Sequence, residues 1–297
     1  MDARWKKMSV GRTLGKLEFQ ATFVVGKLRR GSSITRNDTL NCLARIGRTM
    51  QRYGLQSIKD IKPAHVKRYF AELRNGGMSA GRMANHASAM RLMCRMIGKS
   101  EVVPSNRELG CSRTVANRTK NADVRLDVNK AAEVREQLSD NNQIAYDMAR
   151  QFGLRQKETL LSHKTVVHGG VTYLVVEGAK GGRPRQVPIT TKEQREVIAR
   201  NEAYRATHGG KLIDEDKSLK QGIKQLQNEL AAAGADRSSR ANIHTLRREW
   251  IIERCQQIVA APEDSREKLI VELVEQVGHG RQEVLRCYTL TIAIKLK

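Results

Sequence analysis

No uninterrupted apolar run of about 18 residues occurs in the 297-residue chain, so it offers no candidate for a helix crossing a bilayer. The opening residues, Met1 to Lys7, lack the apolar stretch of a signal peptide. Cysteine is sparse. Cys42, Cys94, Cys111, Cys255 and Cys287 are odd in number, scattered, and never at CxxC spacing. That excludes a secreted disulfide scaffold and a recognisable zinc site, and it suits a reducing cytoplasm. Internal repeats and low-complexity tracts are also missing. Acidic residues are in deficit, with 31 Asp and Glu against 54 Lys and Arg, a formal net charge of +23. The apolar share of 39% is nevertheless enough for packed cores, so the chain is not a disordered basic tail.

The excess charge is uneven. Residues 1–120 carry 25 basic and 7 acidic residues, a net of +18, and residues 121–297 carry 29 and 24, a net of +5. Such density attracts a polyanion. An anionic membrane would favour a short polybasic cluster, whereas these arginines are spread through helix-like segments, so nucleic acid is the expected partner.

The length suggests two domains. Residues 1–32 read as a basic segment without clear pattern. A helical DNA-binding domain is expected over 33–107, a linker over 108–125 within a polar stretch that starts at Pro104, and a second domain over 126–297. In the first domain a helix capped by Asn37 or Asp38 carries Leu43, Ile46 and Met50. Pro63 opens another with Val66, Tyr69, Phe70 and Leu73. Ser79 caps a third, with Met83, Ala87, Met90, Cys94 and Ile97 on one face and Arg82, Asn85, Ser88, Arg91 and Arg95 on the other. Arg82, Arg91 and Arg95 are therefore candidate DNA contacts. Beyond the linker, helices are expected near 128–138, 141–152, 219–230, 244–258 and 269–277. Strands are expected at 171–176 and 186–189, and a short one in the tail at 291–296. The fold class is mainly α with a small antiparallel β-sheet.

Four places in the second half could carry chemistry. Arg155 follows a glycine break and opens a helix, with Glu158 one turn on. Lys180 sits on a Gly-rich hairpin turn, followed by Arg183 and Arg185, two further candidate DNA contacts. His244 and Arg247 share a face at a helix start. His279 is bracketed by glycines, and Tyr288 follows nine residues later. Each in isolation also fits a surface ion pair, a turn lysine or a packed tyrosine. Together, two arginines, a lysine, two histidines and a tyrosine form a set able to cleave a phosphodiester without metal. Two arginines would neutralise the developing charge, Lys180 would protonate the leaving oxygen, and His244 would handle the nucleophile's proton.

The ordered elements GLRQKE, GAKGGRPRQVP, HTLRR, VGHG and Tyr288 resemble the tyrosine recombinase (phage integrase) family over residues 125–290. The resemblance implies a helical N-terminal DNA-binding domain and a mixed α+β catalytic domain. Its catalytic residues would be Arg155, Lys180, His244, Arg247, His279 and Tyr288, supported by Glu158. Tyr288 would form a 3′-phosphotyrosyl link, strand exchange would follow, and no metal or other cofactor would take part. The partners implied are double-stranded DNA and a homotetramer on two paired sites, with accessory DNA-bending or excisionase proteins possible. Arg248 departs from the family's usual histidine. Residues 259–268 look like an inserted loop. The tail after Tyr288 is short, and its alternating segment could dock on a neighbouring protomer. Two other readings stay open: a DNA-binding architectural or regulatory protein of this fold without catalysis, and a type IB topoisomerase.

Overall fold

The computed structural model describes residues 15–26, 33–112, 124–177, 184–236, 238–278 and 282–288. The chain divides into two compact units, Met1–Asn117 and Arg118–Lys297.

The first unit is helical among the described residues: α1 (Lys16–Gly26), α2 (Ser33–Arg52), α3 (Pro63–Asn75) and α4 (Ala80–Met96). Its core takes Leu43, Ile46 and Met50 from α2, Val66, Tyr69, Phe70 and Leu73 from α3, and Met83, Ala87, Met90 and Cys94 from α4. Ser79 caps α4 by accepting from the Arg82 N–H, and Pro63 stands at the first position of α3. Three expectations need correction. The basic N-terminal segment contains α1, whose Leu17, Ala21 and Val25 are buried. It packs so closely on α2 that a Cβ at Gly47 would lie 2.5 Å from the Leu17 carbonyl oxygen. Next, α2 starts at Ser33, so Asn37 and Asp38 lie inside a solvated first stretch and do not cap it. Finally, residues 104–112 fold onto the first unit. Leu109 and Cys111 are buried there, and Arg74 donates to the Leu109 carbonyl at 2.9 Å.

The second unit contains α5 (Val128–Glu136), α6 (Asp140–Phe152), α7 (Gln156–Thr159), β1 (Lys164–His168), β2 (Val171–Val176), β3 (Arg185–Pro188), α8 (Lys192–Thr207), α9 (Leu219–Ala232), α10 (Ile243–Ala260), α11 (Glu263–Val277) and a 3₁₀ turn at Gln282–Cys287. The sheet is antiparallel in the order β1-β2-β3, with Val166 opposite Tyr173 and Leu174 opposite Val187. Alternation along β2 and β3 buries Leu174, Val176 and Val187 against the helices. Phe152, Leu246, Trp250 and Ile251 join that core. Glu249, buried on α10, accepts from Arg125 and from the Leu126 N–H, which fastens the unit's first described residues.

The sequence pattern does not announce β1 or α8. Every residue of β1 is exposed, so no alternation marks it. The buried face of α8 is Gln194, Val197 and Asn201, with one apolar residue among three. The expected insertion at 259–268 is instead the last residues of α10, a turn at Ala261–Pro262 and the first turns of α11. Among the described residues no helix is long and apolar enough to cross a membrane. The tail segment 291–296 lies outside the described residues.

Candidate active site

The site is assembled by two glycine-terminated helices. Gly153 ends α6 in the left-handed region, at φ 59°, and turns the chain so that Arg155 caps the short α7. Gly278 ends α11 in the same region, at φ 67°, and leaves the last carbonyls of that helix open to donors. Three arginines meet there. Arg247, on the first turns of α10, donates to the carbonyls of Gly153 and Val277, the latter at 2.8 Å. Arg155 donates to Val277 and Gly278 at 3.2 and 3.3 Å. Arg185, at the start of β3, donates through Nε to Gln276 at 2.7 Å. The partial negative charge of a helix C-terminus favours this gathering of cations.

Glu158 holds the cluster together. Its Oε1 accepts from Arg155 Nη1 at 2.9 Å and from Arg185 Nη1 at 3.1 Å. Its Oε2 accepts from the Arg155 N–H at 2.8 Å and from Arg185 Nη2 at 2.6 Å. His163, buried below, bonds the Glu158 carbonyl at 2.7 Å through Nε2. Burial alone would raise the Glu158 pKa. The hydrogen bonds and charge of Arg185, then the contacts with Arg155, overcome it and hold the value at about 2. Arg247 moves down to about 10, by burial first and then by the Arg155 charge, with Tyr288 acting in the opposite sense; it stays protonated at neutral pH.

The Glu158 shift has a consequence for stability. The folded carboxyl titrates below its unfolded counterpart, so its contribution is complete above about pH 4.5 and is lost as pH falls toward 2. A shift of that size corresponds to about 3 kcal/mol. Acid titration followed by circular dichroism is expected to show a Glu158→Gln variant with a shallower loss of stability across that window. Parallel curves for the two proteins would contradict it.

Tyr288 follows the 3₁₀ turn, with its N–H on the Leu285 carbonyl at 2.9 Å, and its side chain is buried at the edge of the core. Arg248 lies over the Tyr288 ring at 5.6 Å and donates to the Cys287 carbonyl at 3.3 Å. His244 stands in the first turn of α10, one turn before Arg247, on the exposed side, and Asn242 caps that helix. The described structure therefore brings together Arg155, Glu158 and Arg247, with Tyr288 near enough to act on the Arg247 charge, and it sets His244 on the same helix start as Arg247. Lys180, Arg183 and His279 lie outside the described residues.

Arg185 corrects the sequence reading. Expected on DNA, its side chain is only 4% exposed and grips Glu158 and a backbone carbonyl. The sequence held a signal for this, because strand alternation places Arg185 on the same side as the buried Val187. His163 was not anticipated at all; the polar run Ser162 to Thr165, between Leu161 and Val166, gives no periodicity that would mark it as buried. In the first unit, Arg82 and Arg95 are exposed on α4 with Asn85 and Ser88, as expected. Arg91 instead turns to Asn106 and the Pro104 carbonyl, at 2.9 and 2.5 Å. Among the described residues, no group of His, Cys, Asp and Glu could hold a metal ion.

A helical unit followed by a mixed unit with a small antiparallel sheet is the architecture of the tyrosine recombinase class. Two family models match the chain: phage integrase N-terminal over residues 16–103, and integrase over residues 110–253. The chain belongs to the phage integrase family. A lambda integrase dimer bound to a COC′ core site shares its fold, with a TM-score of 0.57 and 16% identity, covering 96% of this chain and 79% of that one. A lambda integrase tetramer bound to a Holliday junction gives 0.58 and 14%, covering 97% and 81%. The Tn1549 transposon integrase in complex with transposon right end DNA gives 0.58 and 11%, covering 94% and 98%. No curated protein matches the sequence.

Proposed function

We propose that the protein is a site-specific DNA recombinase that breaks and rejoins strands through Tyr288 and integrates or excises a mobile element. The observation that carries this reading is the convergence of Arg155 and Arg247 on one helix end, within electrostatic reach of Tyr288. Three guanidinium groups against one carboxylate leave the site positive, and the five-coordinate phosphorus of the transition state, with negative charge gathered on its non-bridging oxygens, is the complementary charge.

In this mechanism the Tyr288 hydroxyl attacks the scissile phosphate. The Oη–P bond forms, the bond from phosphorus to the 5′ oxygen breaks, and a 3′-phosphotyrosyl link remains beside a free 5′ hydroxyl. His244 takes the tyrosine proton, and Lys180 gives a proton to the leaving oxygen. Arg155 and Arg247, with His279, hold the non-bridging oxygens. The link conserves the energy of the phosphodiester, so the 5′ hydroxyl of another strand can reverse the step without ATP. Arg82 and Arg95 on the exposed face of α4 are the proposed duplex contacts, and Arg183 is a further one. DNA binding by so basic a chain should weaken steeply with salt. Catalysis by a tetramer on two paired sites is part of the same reading.

The test is covalent trapping. Purified protein is incubated with labelled nicked duplexes tiling the DNA beside its own gene, without ATP, and run on a denaturing gel. A protein–DNA adduct whose labelled peptide contains Tyr288 is the expected result. Tight, sequence-selective binding with no adduct on any duplex would replace this reading with a non-catalytic DNA-binding one.

A further inference from the structure

Arg185 is buried with Glu158 and Arg247, and the bond-making and proton transfers above give it no part. Its contacts are with other site residues. Arg185 makes two bonds to the Glu158 carboxylate, one to each oxygen, while Arg155 makes a single side-chain bond to the same group. Its Nε fixes it to Gln276, one residue before the carbonyl that receives both Arg155 and Arg247. The arginine fork matches a carboxylate far better than one branch of Arg155 does. Glu158 is thus bound chiefly to Arg185 and only secondarily to Arg155.

Charge balance gives this arrangement a purpose. Arg155 and Glu158 alone would form a neutral pair, and Arg155 would have little charge left for a phosphate. With Arg185 present the three side chains sum to one positive charge, and Arg155, the more exposed of the two arginines at 26%, carries it at the open side. Gly278 preserves the fit. A Cβ there would lie 3.3 Å from Arg185 Cδ and 3.5 Å from Arg155 Nη1, so the two guanidinium groups pass the helix end side by side.

We propose that Arg185 is a positioning residue for phosphoryl transfer: it occupies the Glu158 carboxylate, so that Arg155 is held in place with its charge uncancelled. This rests on the reading of the cluster as a phosphate site. It predicts an unusual pattern among variants. Arg185→Gln leaves a buried carboxylate whose remaining cationic partner is Arg155, and the rate of adduct formation on nicked DNA should fall about 100-fold, the effect of losing one preorganised donor. DNA affinity should stay near that of the natural chain. Adding Glu158→Gln removes the carboxylate that would neutralise Arg155, and the double variant should recover at least about ten-fold of the rate. A purely structural role would show no such recovery.

The experiment is single-turnover cleavage of the same nicked duplexes by the full chain and these variants, with melting and DNA binding measured alongside. A wild-type rate in Arg185→Gln overturns the proposal. So does a folded double variant no faster than Arg185→Gln. If Arg185→Gln does not fold, the double variant decides the matter. Its two amides can bond each other without net charge, and a rate within about ten-fold of wild type is then expected, while a folded double variant slowed about 100-fold or more overturns the role. Absence of an adduct from the natural chain itself would instead defeat the cleavage reading, and the role of Arg185 with it.

Discussion

Tyr288→Phe is expected to abolish the covalent adduct while leaving DNA affinity within about two-fold of the natural chain. The substitution removes one oxygen. The ring stays, and the ring is what the core and Arg248 contact: Tyr288 is 7% exposed, within the main apolar cluster, with the Arg248 guanidinium 5.6 Å from its centroid. Loss of one hydroxyl should change stability by no more than about 1 kcal/mol. The arginine cluster on the end of α11 is untouched, so phosphate recognition should persist. What disappears is the only atom of that side chain able to bond phosphorus. Water or another hydroxyl reaching the same phosphate would give free cleaved DNA and no adduct, which a denaturing gel separates from a covalent product. An adduct that persists would move the nucleophile elsewhere. Loss of the adduct together with DNA binding and several degrees of melting temperature would make Tyr288 a packing residue.

The site was partly legible in the sequence, and for definite reasons. Arg155 and Glu158 are three residues apart at a helix opening, so their pairing could be read from spacing alone, and the structure has it at 2.9 Å. Arg247 was recognisable by its motif, but its burial against the Gly153 and Val277 carbonyls was not, because those acceptors are 94 and 30 residues away in the chain. The role of Arg185 was hidden by its company: with Lys180 and Arg183 beside a glycine turn, it looked like one more exposed cation. Its alternation with Val187 was the better guide. In the fold, α3 and α4 were readable from apolar spacing, Pro63 and Ser79. By contrast, α8 buries two polar residues for each apolar one, and β1 buries nothing, so neither leaves a periodic trace. α1 did leave one, in Leu17, Ala21 and Val25, but it is blurred by Phe19 and Phe23, which are apolar and yet exposed.

Gly153→Ala should destabilise the second unit by about 3 kcal/mol, a melting shift of about 10 °C, and slow cleavage as well. Two costs add at this position. The residue stands at φ 59°, where a Cβ crowds the following carbonyl, and that alone costs about 1–2 kcal/mol. The new methyl would also meet the Trp250 ring, 2.4 Å from Cε3 and 2.9 Å from Cδ2. Trp250 is 6% exposed and embedded between α6 and α10, so it cannot simply swing away, and relief must come from backbone movement. That movement carries the Gly153 carbonyl, which receives Arg247, and the chain leading to Arg155 two residues later. Stability and catalysis should therefore fail together. Gly169→Ala separates the two costs. Gly169 has nearly the same backbone conformation, φ 55°, but its Cβ would enter open space, so only the conformational part of the penalty should appear and cleavage should be unchanged. Equal losses in the two variants, measured by thermal melting, would show that the left-handed backbone accounts for everything and that the Trp250 contact yields. A larger loss at Gly153, accompanied by slower adduct formation, would tie the turn after α6 directly to the placement of the two arginines.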